Sequence, residues 1–291
     1  MTTIKAFIKS GPVLTYFVLT FAISWGGVLV VVGGLGGIPA NAEQLELLLP
    51  FVVLALTIGP SVAGILLTGL VDGRAGLRDF LARLRRWRVN VRWYAVALLT
   101  PPLLATATLF ALTLTSPVFL PGIFTSNDKA SLLLSGIMAG LVGGLFEEPG
   151  WTGFVTPRLR QRYGVFATGL IVGFLWGAWH LIVAFWGSGT ASGAFSLLPF
   201  LPQFLFYVTV LPAYRVLMVW VYDRTESLLV AMFMHASLTG SVLFIFMPLA
   251  LSEVPLLTWY LALAVALWVF VAAVTVANRG RPEWGRSGRT R

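Results

Sequence analysis

The stretch S-L-L-L-S-G-I-M-A-G-L-V-G-G-L-F-E-E-P-G-W-T-G-F, residues 131–154, is a long apolar run that ends on two adjacent carboxylates, Glu147 and Glu148. Pro149, Gly150 and Trp151 follow at once. An ionisable side chain in hydrocarbon costs about 2.5–3.5 kcal/mol on insertion scales, so it is retained where it faces a cavity, a partner or a substrate. The chain has 2 histidines, and both also lie in apolar runs: His180 in G-F-L-W-G-A-W-H-L and His235 in V-A-M-F-M-H-A-S-L. Two carboxylates and two imidazoles in such settings point to one shared polar site, with the rest of the chain as its scaffold. Gly136, Ala139, Gly140, Gly143 and Gly144 give the run small residues at helical spacing, which let a neighbouring helix approach closely.

The composition agrees. Hydrophobic residues make up 58% and charged residues 11% of 291 residues, and the mean hydropathy is +0.88. A soluble fold would lack polar surface. At roughly 20 residues per span there is room for seven or eight helices and little else. The expectation is an all-α polytopic transmembrane bundle forming a single membrane domain over residues 1–291, with a motif-bearing core at 131–245. The lack of cysteine excludes disulfides, thiolate metal ligands and a cysteine nucleophile. The net charge of +9 does not mark a nucleic-acid binder, because the basic residues sit in short loops between apolar runs.

Taken in order, the spans are expected near residues 11–32, 47–70, 93–114, from 131, 165–186, 197–221, 228–247 and 256–277. The first is too long for a signal-peptide core and reads as an uncleaved anchor. Between spans two and three, residues 71–88 place Leu77, Phe80, Leu81, Leu84 and Trp87 at helical spacing with arginines between them. That pattern predicts an amphipathic helix lying on an anionic membrane surface. A basic tail, 279–291, reads as disordered. With the N-terminus in the cytoplasm and eight spans, every Lys and Arg except Lys129 falls on or near the cytoplasmic side. Both termini are then cytoplasmic, and the plasma membrane is the expected location.

Pro149-Gly150 fits a helix break. If helical rise instead continues to Arg158, Glu147 sits about 16 Å inside that edge. A carboxylate at that depth suits a general base working near neutrality. Adjacent residues point different ways on a helix, so one glutamate can do chemistry while the other holds a partner. By the same counting His235 lies about 13 Å from the cytoplasmic edge and His180 about 27 Å from Arg162, a mismatch for a shared site. Two routes are open. One is a zinc or other divalent-metal site on His180, His235 and Glu148. The other is metal-free, with Glu147 activating water and the imidazoles serving the oxyanion. There is no H-E-x-x-H, G-x-S-x-G, P-loop or dinucleotide pattern, so zincin, serine-hydrolase and nucleotide readings are weak.

At these residues the chain resembles a known family. E-E-P-G-W-T-G-F, W-G-A-W-H-L and M-H-A-S-L-T, in that order, look like the three-motif signature of the CPBP family. That family comprises intramembrane CAAX prenyl endopeptidases and proteins proposed in bacteriocin self-immunity. The basic helix after span two and the run V-W-V-Y-D-R-T-E-S-L-L-V-A-M-F-M-H are similar too. The resemblance implies that Glu147 is the water-activating base and Glu148 its supporting partner, with His180 and His235 completing the site. It leaves open whether a metal takes part. Two positions depart from it. The arginine four residues after the second glutamate is Thr152, and the asparagine four after the last histidine is Thr239. Thr239 keeps a hydroxyl donor for an oxyanion. Thr152 carries no charge, so a cation for Glu148 must come from elsewhere, with Arg158 and Arg215 as candidates.

The leading expectation is an intramembrane endopeptidase acting on a membrane-associated peptide or prenylated protein, with membrane lipids as its surroundings. Its cavity is expected to open towards the cytoplasm and lipid. The alternatives are a catalytically silent, immunity-like protein that holds a peptide in the same cavity, and, more remotely, an ion-coupled transporter.

Overall fold

The computed structural model describes residues 3–278, so the basic tail expected to be disordered lies outside the described residues. Among these residues eight helices are long and apolar enough to cross a membrane. They are α1 (Pro12–Val32), α2 (Ala42–Leu84), α3 (Val91–Thr113), α4 (Lys129–Leu159), α5 (Val165–Trp186), α6 (Leu197–Thr225), α7 (Leu228–Ile245) and α8 (Glu253–Ala277). The architecture is an all-α polytopic bundle. The eight spans match the expected set, most within a few residues, because each is an apolar run bounded by capping or turn residues. Asn41 closes a capping box with Gln44 at the start of α2, and Asp128 caps α4 by accepting from the Ser131 amide.

The pairs α4/α7 and α5/α6 run antiparallel, and α2, α5, α6 and α7 are the helices buried over half or more of their apolar stretch. α6 is the most buried of the eight. Glycines set the closest approaches. Along α4, a Cβ at Gly136, Gly140 or Gly144 would meet backbone oxygens of Gly240, Ala236 and Met232, so this stripe lies directly against α7. Gly169, Gly173 and Gly177 of α5 do the same against Val216, Pro212 and Tyr207 of α6. Close packing is thus the role of the α4 glycines, as their spacing suggests.

One local expectation is corrected. The helix does not break at Pro149-Gly150: α4 continues through a widened π segment, Trp151–Val155, to Leu159. Backbone groups loosened by a proline or a wide turn must find partners where no water reaches them. Here side chains supply them. Ser61 donates to the Phe146 carbonyl, Thr156 to that of Trp151, Arg83 to that of Gly153 and Arg158 to that of Phe154.

The amphipathic segment forms a helix of its own after span two, set off by a kink at Gly73 (φ 64°, ψ −152°), a left-handed geometry that glycine adopts without a Cβ clash. Phe80 packs on Leu228 and Met232, and Arg83 donates to the Tyr222 hydroxyl as well as to Gly153. Leu81 and Trp87 stay exposed. This segment therefore docks across the arginine-rich end of the bundle with one side only.

Candidate active site

Glu147 and Glu148 sit in α4 just before the π segment and are 4% and 0% exposed. Their side chains diverge, as adjacency on a helix requires. Glu148 points away from the cavity into a closed polar cluster. The Arg215 guanidinium of α6 meets it with both terminal nitrogens, Nη1 at 2.9 Å from Oε2 and Nη2 at 3.0 Å from Oε1. The Thr152 hydroxyl donates to Oε2, and His235 Nδ1 lies 2.7 Å from Oε1. An ionised carboxylate only accepts, so His235 carries a proton on Nδ1, and in the neutral imidazole Nε2 is then an acceptor.

Glu147 faces the other way. Trp176 Nε1 donates to its Oε2 at 2.7 Å, and its Oε1 lies 4.0 Å from His235 Nε2. The second distance is too long for a direct hydrogen bond but close enough for both groups to act on one small molecule. The Trp176 ring also lies under the Arg215 guanidinium (4.1 Å) and edge-on to His235 (5.1 Å). It packs against Arg215 and His235, two of the partners of Glu148, while holding Glu147.

His180 interrupts α5 between Val165–Trp179 and Leu181–Trp186. Its Nδ1 is 2.8 Å from the Trp176 carbonyl, which can only accept, so this nitrogen too carries the proton. The ring stacks on Tyr207 (4.7 Å, 21°) and meets Trp179 edge-on. Gly143 completes the arrangement, since a Cβ there would come within 2.8 Å of His235 Nε2.

Glu147, Trp176, His180, His235 and Thr239 all line one cavity of about 610 Å³, whose other walls are mostly apolar. Glu148 is not among the lining residues. The depth mismatch of His180 is resolved by the cavity's shape. It runs along α5 from Trp176 to Gly187, so a histidine one turn beyond Trp176 still faces it. The lining extends from Glu147 towards the arginine-poor ends of the helices, while the α2 end and the π segment close the other end.

The metal set named from sequence is not assembled. Among the described residues no group of three His, Cys, Asp or Glu side chains is placed to hold a metal ion. The physical reason is that Glu148 is already taken by Arg215, Thr152 and His235, and His180 is turned to a backbone carbonyl.

Of the two cations considered for Glu148, Arg215 reaches it. Arg158 instead pairs with Asp72 and lies over the Phe154 ring. Trp176 was not singled out. The available signal was a tryptophan one turn before His180, whose indole N–H needs an acceptor once buried.

Comparisons with known proteins agree with the motifs. A family model described as type II CAAX prenyl endopeptidase Rce1-like matches residues 129–241. The curated protein CAAX prenyl protease 2 of Methanococcus maripaludis is 26% identical over 188 residues, 61% of this chain and 64% of that protein. The chain thus spans less than two thirds of the relative's length. The matched segment contains both glutamates and both histidines.

Proposed function

On the premise of the CAAX protease family, which both comparisons support, we propose that this integral membrane protein is an intramembrane endopeptidase. It would hydrolyse a peptide bond in a membrane-associated peptide or prenylated protein. The observation that carries this reading is the pairing of Glu147 with His235 Nε2 at 4.0 Å in an apolar cavity. The expected frame is one membrane domain in the plasma membrane, with both termini cytoplasmic by the positive-inside rule.

In this mechanism Glu147 takes a proton from water as the water attacks the scissile carbonyl. His235 Nε2, the acceptor of the neutral imidazole whose Nδ1 faces Glu148, accepts a hydrogen bond from the water's other O–H and fixes its direction. Trp176 keeps one Glu147 oxygen engaged and so leaves the other to face the water. Thr239 offers a hydroxyl donor to the developing oxyanion. His180 closes the same wall, with Nδ1 committed to Trp176. Glu147 then passes its proton to the leaving amine. The donor set does not fit a three-ligand metal, so no step is routed through one.

The test is cleavage of a peptide mixture, with and without a C-terminal isoprenoid, by detergent-purified protein beside Glu147→Gln. Products are read by mass spectrometry, with a chelator arm. Cuts that vanish in the variant support the peptidase, and chelator-resistant cuts support the metal-free route. Identical behaviour of both proteins across a broad panel favours an immunity-like binding protein.

A further inference from the structure

We infer that Tyr207 is a further catalytic residue. Its hydroxyl donates, together with that of Thr239, to the carbonyl oxygen of the scissile peptide bond as that oxygen becomes an oxyanion. This deepens the peptidase reading above and rests on it.

An oxyanion needs hydrogen-bond donors, and few side chains of the cavity have one to offer. The Trp176 N–H is committed to Glu147, and His180 Nδ1 to the Trp176 carbonyl, which leaves His180 Nε2 an acceptor in the neutral ring. His235 is in the same position, since its Nδ1 faces Glu148. Thr57 donates to the Val53 carbonyl, the Trp186 N–H is enclosed by packing, and Gln203 meets the Tyr260 hydroxyl. Among the described residues the cavity lining holds no Lys or Arg. Two hydroxyls remain, those of Thr239 and Tyr207. Neither has a hydrogen-bond partner among the described residues, and neither is enclosed as the Tyr16 hydroxyl is, so both open on the cavity. A phenol is the more acidic of the two hydroxyl types and donates more strongly to an anion.

Tyr207 is held at the level of the reacting groups. A Cβ on Gly177 would come within 2.1 Å of the Tyr207 carbonyl oxygen, so α5 and α6 touch backbone to backbone one residue after Trp176, which holds Glu147. The Tyr207 ring stacks on His180, and Glu147 acts on Tyr207 electrostatically across the cavity. Tyr207 also lies in a π segment of α6, Phe206–Val210, a wide turn of the kind found at functional sites. Trp268 Nε1 donates to the Thr209 carbonyl of that turn at 3.1 Å and fixes it in place.

As the water oxygen bonds to the carbonyl carbon, the carbonyl π pair moves onto oxygen and the two hydroxyls tighten on it. Both keep their protons. When the C–N bond breaks, C=O re-forms and the amine takes its proton from Glu147.

Tyr207→Phe keeps the ring on His180 and removes the donor. Wild type and Tyr207→Phe, both full length, are compared on a peptide from the mixture above that wild type cuts and Glu147→Gln leaves whole. The oxyanion probe is the same peptide with a phosphinate in place of the scissile amide. Loss of one oxyanion donor lowers kcat about 100-fold. That is the expected effect, with KM and the thermal midpoint in detergent little changed. Affinity for the phosphinate should fall by a similar factor, while binding of the uncut peptide to Glu147→Gln is the same with and without Tyr207→Phe. A ring-fluorinated tyrosine at position 207 is the second variant. It keeps the shape of the side chain, strengthens the donor and should bind the phosphinate more tightly than wild type does. A wild-type kcat in Tyr207→Phe would overturn the inference and leave the peptidase reading standing. So would equal losses of affinity for the phosphinate and the uncut peptide, which mark a wall residue. If no peptide is cut by wild type and spared by Glu147→Gln, the peptidase reading itself fails and this inference falls with it.

Discussion

Arg215 of α6 holds Glu148 of α4 through two parallel hydrogen bonds of 2.9 and 3.0 Å, with both side chains 0% exposed. The motif resemblance puts a cation one turn after Glu148, where this chain has Thr152. In this chain the cation that meets Glu148 comes from another helix. Thr152 is small enough to leave room for it, and its hydroxyl becomes a further donor to the same carboxylate. The cluster then fixes the tautomer of His235 and, through Trp176 packed under the guanidinium, the aim of Glu147.

Removing one member of a buried, hydrogen-bonded ion pair strands the other charge and costs about 3–5 kcal/mol. Arg215→Leu is therefore expected to lower the thermal midpoint in detergent strongly. Adding Glu148→Gln should recover part of the loss. A double-mutant cycle in which the two losses simply add would contradict a coupled pair.

If Glu148 needs a cation beside it from whichever helix, one supplied from position 152 should serve. Thr152→Arg in an Arg215→Ala background is expected to regain activity and thermal stability relative to Arg215→Ala alone. Thr152→Arg with Arg215 still present should be worse than wild type, because two guanidinium groups then compete for one carboxylate. No recovery in the double variant would show that Arg215 does more than neutralise Glu148.

Trp176→Phe keeps the ring and removes the indole N–H. A hydrogen bond to a charged group is worth about 1.5–3 kcal/mol. If Trp176 aims Glu147, kcat should fall about 10- to 100-fold with KM little changed, since the substrate wall is intact. A rise in KM at constant kcat would mean that Trp176 serves only as wall.

Gly143 and Gly140 are expected to behave differently despite lying one turn apart. Gly143→Ala puts a Cβ within 2.8 Å of His235 Nε2. It should reduce activity far more than stability. Gly140→Ala drives a Cβ into the Ala236 carbonyl and should loosen α4 from α7, lowering the thermal midpoint. Gly26→Ala, with nothing within 4 Å, is the neutral control.

The spans were legible because each is a contiguous apolar run, and contiguity is a one-dimensional property. Glu147, Glu148, His180 and His235 stood out because ionisable groups in such runs are costly, and Thr239 only through the motif resemblance. What escaped depends on contacts between helices. No spacing rule links Arg215 to Glu148, 67 residues apart, or marks Trp176 as the donor to Glu147, 29 residues apart. Pro149-Gly150 reads as a break because the donors that sustain the π segment, Ser61 and Arg83, come from α2. The amphipathic helix expected over 71–88 is present after the kink at Gly73, and what its pattern did not tell is that its Phe80 side rests on Leu228 and Met232 of α7.

The most direct test of the central claim is cleavage carried out in ¹⁸O-labelled water by purified wild type and Glu147→Gln. A Glu147-activated water predicts that each new C-terminal carboxylate made by wild type carries one ¹⁸O atom, and that the variant makes no such product. Equal cleavage by the Glu147→Gln protein would contradict Glu147 as the base that activates water.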